Sequence, residues 1–241
     1  MRGKVCSICG ERVLSMYADR DADGLRRCPV CRRVDRPFER AVAYGSYDGS
    51  LRELVHMLKY NGVRPTASVL GRILAEAIAS LEPVLGQTSF EFEQESVLVI
   101  PVPLYKGRRR QRGFNQAEMI ARAALKHFSS TDRWQLAGDL LLRTRDTHSQ
   151  IGLTSHQRRA NLRGAFAVTR PEDVNGRAVL LVDDVYTTGT TVSECARVLR
   201  RAGASQVWVA TVARTLKLAS KFAEIEEADV EEDEGIKAEA V

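Results

Sequence analysis

Two adjacent carboxylates followed by a loop of hydroxyls mark the stretch "VLLVDDVYTTGTT", residues 179–191. Asp183 and Asp184 end an apolar run, and Thr187, Thr188, Thr190 and Thr191 surround Gly189. Carboxylates repel phosphate but accept hydrogen bonds from sugar hydroxyls, directly or beside a magnesium ion. Glycine lets the backbone approach an anion closely, and a helix start offers free N–H groups and the positive end of its dipole. A sugar with a phosphate at one end and vicinal hydroxyls near the acids satisfies both halves, and ribose 5-phosphate fits. Thr191 and Glu194 also match the spacing of a capping box, which would account for those two residues without a ligand.

A second constellation lies near the start of the chain. Cys6 and Cys9 form one C-x2-C pair and Cys28 and Cys31 another, eighteen residues apart. That is the spacing of a tetrahedral thiolate site for structural zinc, in which a closed shell of four sulfurs leaves no position for chemistry. Two disulfides are the rival reading, against which a reducing cytoplasm argues. A module of about forty residues buries little core, so metal binding would supply its folding free energy. Cys195 falls on the inner side of an expected helix and reads as core.

The elements that must position these groups alternate. Residues 40–49 read as a strand and turn, followed by helical periodicity in "SLRELVHMLKY" and "TASVLGRILAEAIASL" and a linking loop over 83–96. "VLVIPVPL" (97–104) is a buried strand, 115–128 a helix, "SSTDRWQLAGD" a loop, and "LLLR" (140–143) a strand. After a polar stretch to about 164 come "AFAV", the strand 179–182, a helix to Ala202 and the strand 206–212. Apolar strands without alternation predict an α/β fold with a parallel sheet covered on both faces. The "DDVYTTGTT" loop then joins a strand's carboxyl end to a helix, where open α/β sheets bind ligands.

A response regulator would place "LLVDD" in its first strand, whereas here it is the next to last; a nucleotide triphosphatase needs a G-x4-G-K-[ST] loop, which is absent. The thirteen residues resemble the phosphoribosyl pyrophosphate (PRPP) signature of type I phosphoribosyltransferases. Tyr186 stands where that family usually has an aliphatic residue, a departure expected to leave the ligand chemistry untouched. Together with "LVHMLKYNG" (54–62), "PVPLYKGRRRQRGFNQAEMIA" (101–121), "RTRDTHSQIGLTSHQRRANLRGAF" (143–166) and the four cysteines, the chain resembles the ComF family of competence-associated proteins.

The resemblance implies a type I phosphoribosyltransferase-like parallel sheet flanked by helices (40–222) behind a zinc-finger module (1–39), with residues 40–95 as an acceptor-binding hood. It also implies a link to uptake of single-stranded DNA and to the competence machinery. In such transferases pyrophosphate leaves C1 of the ribose while a nitrogen attacks, and catalysis is charge stabilisation plus positioning. Lys106, Gly107 and Arg108, after a strand, are candidates to hold pyrophosphate beside magnesium, with Asp183 and Asp184 on the ribose. Thr147, Gln150, Arg158 and Asn161 are candidates in a loop that closes over PRPP; His148 and His156 are weaker candidates as general bases. Two functions are carried forward: phosphoribosyl transfer to an unknown acceptor, and a non-catalytic PRPP-sensing or single-stranded-DNA-binding factor.

Composition bounds these readings. The chain has 241 residues and a net charge of +5, but residues 223–241 carry nine acids and one lysine, so the body alone stands at +13. A basic body suits a polyanionic partner, or simply solubility. Five of the seven residues 106–112 are cationic, more than one pyrophosphate requires. The surplus could steer nucleic acid, with Phe114 as a stacking group, or form a solvated basic loop. The acidic tail is expected to be mobile or a frayed helix. No run is long enough to span a bilayer and the first residues lack a signal-peptide core, so the expected location is the cytoplasm.

Overall fold

The computed structural model describes residues 5–13, 24–81, 96–129, 131–147 and 155–216. Its centre is a five-stranded, all-parallel sheet of β1 (Arg40–Ser46), β2 (Val97–Pro101), β3 (Trp134–Leu136), β6 (Ala178–Tyr186) and β7 (Gln206–Arg214), in the order β1-β7-β6-β2-β3. β4 (Leu141–Arg143) and β5 (Phe166–Val168) pair antiparallel in a separate two-stranded sheet. Helices α1 (Pro29–Arg33), α2 (Gly49–Tyr60), α3 (Thr66–Ala79), α4 (Lys106–Arg112), α5 (Gln116–Leu125), α6 (Ser155–Leu162) and α7 (Thr190–Arg201) complete the order.

The apolar runs lack alternation because both faces of the sheet are covered. Leu180, Val182, Val99, Trp208 and Ala210 meet α2, α3 and α5 through Leu58, Leu70, Leu74 and Ile120. Val179, Leu181, Ile100, Val207 and Val209 meet α7, the β4–β5 pair and the cysteine module through Cys195, Leu199, Leu141 and Phe38. Cys195 is thus core, as its position predicts. Gly71 lets α3 and α5 approach closely, since a Cβ there would fall 2.4 Å from Ala123 Cβ.

Several boundaries differ from the sequence expectation. The strand expected to stop at Val182 runs on to Tyr186, because Asp183 and Val185 stay in register with Thr211 and Ala213 of β7. The stretch expected as a loop before "LLLR" contains β3, whose Trp134 packs against Phe128 with ring centroids 5.3 Å apart. Three residues are too few to display a period. The polar stretch ending near 164 contains α6. Within 40–95, β1 is an edge strand of the main sheet and α3 packs on α5 and β7, so these residues share the sheet's core. The linking loop over 83–96 lies almost wholly outside the described residues, as does the acidic tail. No helix among the described residues is long and apolar enough to cross a membrane.

Candidate functional site

β6 delivers Asp183 and Asp184 to the carboxyl end of the sheet. Their carboxylates turn back on the chain: Asp183 Oδ1 accepts from the Asp184 N–H and Asp184 Oδ1 from the Val185 N–H, both at 2.9 Å. Asp184 is buried, and its other oxygen forms an ion pair with Lys59 Nζ from the last turn of α2. Burial works against the Lys59 charge, yet the Asp184 carboxylate outweighs it and raises the lysine's pKa. Asp183 keeps some solvent contact but is densely surrounded by protein. Burial first, then the Asp184 charge, raises its carboxyl well above the usual range, with Lys59 pulling the other way.

The turn after β6 leads directly into α7. Gly189 is the helix N-cap with φ 75°, and a Cβ there would fall 2.1 Å from the Tyr186 hydroxyl, so only glycine fits. Tyr186 bears on the loop's shape: its buried ring is the floor under Gly189. Thr188 Oγ1 and Thr190 Oγ1 share a hydrogen bond of 2.7 Å. Thr187 is exposed, and Thr191 occupies the first turn. The capping box is overturned, because the helix begins at Thr190 and Glu194 Oε1 accepts instead from the Gly164 N–H at 3.1 Å.

β2 lies beside β6, with Pro101 opposite Val182, so the chain leaving β2 enters the same end of the sheet. The basic run is not a loop but the short helix α4, with Lys106, Gly107 and Arg108 exposed in its first turn. Asn115 fixes the approach: it is buried, caps α5 by accepting from the Ala117 N–H, and donates to the Val102 carbonyl at 3.1 Å. Arg143, from the end of β4, comes within electrostatic reach of Arg108 and Asp183. Burial and the Arg108 charge lower its pKa. It donates to Thr147, which is buried. Two like charges held together with a buried guanidinium favour an anion at that point.

The four cysteines converge. Their sulfurs are buried and lie within 4.8 Å of one another, with Cys9 and Cys28 Sγ 3.7 Å apart. A tetrahedron with metal–sulfur bonds of about 2.3 Å has an edge of ~3.8 Å, so the donor set fits one zinc-like ion and not two separated disulfides. Mutual hydrogen bonding drives Cys6 and Cys28 to lower pKa and Cys9 and Cys31 to higher. The module docks on the sheet edge: the Ala41 N–H donates to the Ile8 carbonyl, and Arg214 reaches Cys9 O and, at 2.5 Å, Glu11 Oε2.

The arginines of α4 diverge. Arg109 faces Glu118 at 3.7 Å, whereas Arg112 donates to Gln116 and lies over the Tyr60 ring at 5.7 Å. Tyr60 is 69% exposed and follows His56 along α2, while Arg64 covers Phe114 at 5.4 Å. Among the loop candidates, the Asn161 carbonyl accepts from Arg145. His148 and Gln150 lie outside the described residues, as do the side chains of His156 and Arg158.

Lys59 and Arg143 escape a reading of the sequence, although both stand inside its motifs. A cation ending an apolar strand ("LLLR") and one on the inner face of α2 are the available signals.

Comparison with known proteins adds to this geometry. Residues 139–233, from β4 through the signature and beyond, match the phosphoribosyl transferase domain family. The acid pair and the Gly189 turn therefore lie in a phosphoribosyltransferase-type domain. The chain is also similar to the DNA utilization protein YhgH of Escherichia coli O157:H7, 35% identical over 192 residues covering 78% of each protein. Competence protein F of Haemophilus influenzae is 28% identical, covering 87% of this chain and 84% of that one. Competence protein ComFC of Bacillus subtilis is 24% identical, covering 83% and 73%. The chain belongs to the ComF family.

Proposed function

We propose that the carboxyl end of the sheet binds PRPP, or a ribose 5-phosphate-type ligand, with magnesium, and that the protein transfers the phosphoribosyl group to an acceptor nitrogen. One observation carries the reading: Asp183 and Asp184 lie near the carboxyl end of β6, which runs on to Tyr186, and the chain then turns into a glycine-capped helix start. On this reading the amides and hydroxyls of Thr187, Thr188, Gly189, Thr190 and Thr191 hold the 5-phosphate. Asp183 and Asp184 accept from the ribose hydroxyls, and Lys106, Gly107, Arg108 and Arg143 face pyrophosphate. As the C1–O bond breaks, its electron pair leaves with pyrophosphate, and the charges of Lys106, Arg108 and Arg143 offset the developing negative charge. Magnesium, when bound, supplies further charge neutralisation. Residues 40–95 supply the acceptor side, where Tyr47, His56 and Tyr60 line one flank of α2 beside Lys59.

The four cysteines hold one structural zinc. The names of the relatives, DNA utilization protein and competence protein, support a role connected with DNA and with the competence machinery; the location proposed here is the cytoplasm. The purified protein should release pyrophosphate from PRPP and magnesium with one of a panel of amine and nucleobase acceptors. Absence of any magnesium-dependent PRPP binding in calorimetry would sink the ligand assignment.

The exposed Tyr60 with Arg112 over its ring favours a second reading, a factor that binds single-stranded DNA without turnover. PRPP binding with no acceptor consumed would select it. So would DNA binding whose salt slope flattens by about 0.7 for each phosphate set free when Arg109, Arg110 and Arg112 are neutralised.

A further inference from the structure

Arg36 has no place in the chemistry proposed above, yet it reaches the centre of the site. It lies five residues after Cys31 in sequence. Its guanidinium donates to Ser193 Oγ at 3.2 Å and to the Thr188 carbonyl at 3.4 Å, so it grips the loop on both sides of Gly189. Ser193 in turn donates its N–H to the Gly189 carbonyl at 2.9 Å. The positive end of a helix is an unfavourable place for a cation. Among the described residues no carboxylate forms an ion pair with Arg36. Burial works against its charge, and the Tyr186 phenol and then the sulfurs of Cys31 and Cys9 favour it. Arg36 Nε is buried without a hydrogen-bond partner. Arg36 therefore ties the segment that follows Cys31 to the loop.

Four thiolates around a divalent ion carry about two net negative charges in fixed geometry. A planar guanidinium can face that anion and still present donors to a carbonyl and a hydroxyl, which an ammonium cannot do from one position.

We infer that Arg36 is a positioning residue that couples metal occupancy of the four-cysteine cluster to the shape of the 187–191 loop, so that losing that metal weakens phosphate binding at a loop to which none of the four cysteines belongs. The inference rests on the reading that this loop holds a phosphate, and it assigns the metal module a part in ligand affinity.

The test compares the full-length zinc-loaded protein with its Arg36→Gln and Arg36→Lys variants, each checked for one zinc per chain and for its melting temperature. Arg36→Gln should keep its zinc, weaken ribose 5-phosphate by about tenfold in calorimetry, and speed amide exchange over residues 188–193. Arg36→Lys should recover part of both. Chelation should weaken wild type to a similar degree and add little to Arg36→Gln, because both act through one link. Wild-type affinity and exchange in zinc-loaded Arg36→Gln overturn the coupling, and so does chelation that weakens wild type and Arg36→Gln by the same factor. If Arg36→Gln does not fold, Ser193→Ala, which removes one acceptor of the grip, and Arg36→Lys carry the same comparison. A wild-type protein that binds no ribose 5-phosphate overturns the phosphate reading instead, and amide exchange in the ligand-free proteins still decides the coupling.

Discussion

The cysteine module and the five-stranded sheet touch along β1, yet they are held by different physics. Among the described residues, the module's buried apolar side chains are Cys6, Cys9, Val13, Cys28, Cys31 and Phe38. The sheet places Leu180, Leu181, Val182, Val207, Trp208 and Val209 at zero exposure, with helices against both faces. Burial of such side chains contributes about 1.5–3 kcal/mol each, so the sheet carries a large core, whereas the module would draw its stability from the metal we propose its cysteines hold. The contrast teaches where damage should stay local. Loss of the metal should be felt by the module and by whatever the module grips; loss of a core residue should be felt everywhere.

The sharpest way to break the comparison is Cys28→Ser. It should abolish the single zinc and open the first forty residues to protease, while the sheet domain keeps its own unfolding transition. Simultaneous loss of both regions in calorimetric melting would show one cooperative unit. Leu180→Ala tests the other side. It should cost about 2–5 kcal/mol in denaturant unfolding and lower the melting of the whole chain, with zinc still bound before the transition.

Smaller effects fall on the site between the two. Asp184→Asn removes the charge paired with Lys59 and exchanges an acceptor oxygen for a donor. Affinity for PRPP should fall at least about tenfold in calorimetry while inorganic phosphate binding persists. The smallest expected effect concerns protons. Because burial and then Asp184 raise the Asp183 pKa, this carboxyl keeps its proton in the folded chain at a pH where the unfolded chain has lost it. Its contribution to folding is therefore full below the ordinary carboxylate range and is lost as pH rises through the folded value. A ligand that needs both carboxylates ionised must expel that proton. PRPP affinity should rise with pH across the same window, with proton release visible as buffer-dependent binding heat.

The parts legible in the sequence are those written in consecutive residues. The Gly189 turn, the acid pair and the two C-x2-C pairs each sit within one short stretch, where spacing alone fixes which atoms can converge. Lys59, Arg143 and Arg36 cannot be found that way. Each reaches the site from a different element, and only the strand order and the docking of the module bring them together. β3 escapes because three residues carry no period, and α4 because a run of glycine, glutamine and cations has no apolar stripe to betray a helix. The parallel sheet itself is readable, since strands covered on both faces must be apolar throughout.

The strand order has one more consequence. β1, near the start of the chain, has a single neighbour in the main sheet, and that neighbour is β7, with Ala43 opposite Thr211. During synthesis β1 leaves the ribosome some 160 residues before its partner exists. Until then it is an unpaired edge carrying the cysteine module, and such edges invite pairing with the wrong chain. On the proposed zinc reading, the order of manufacture lets metal capture by the cysteine module precede strand closure by β7, which comes late in the chain.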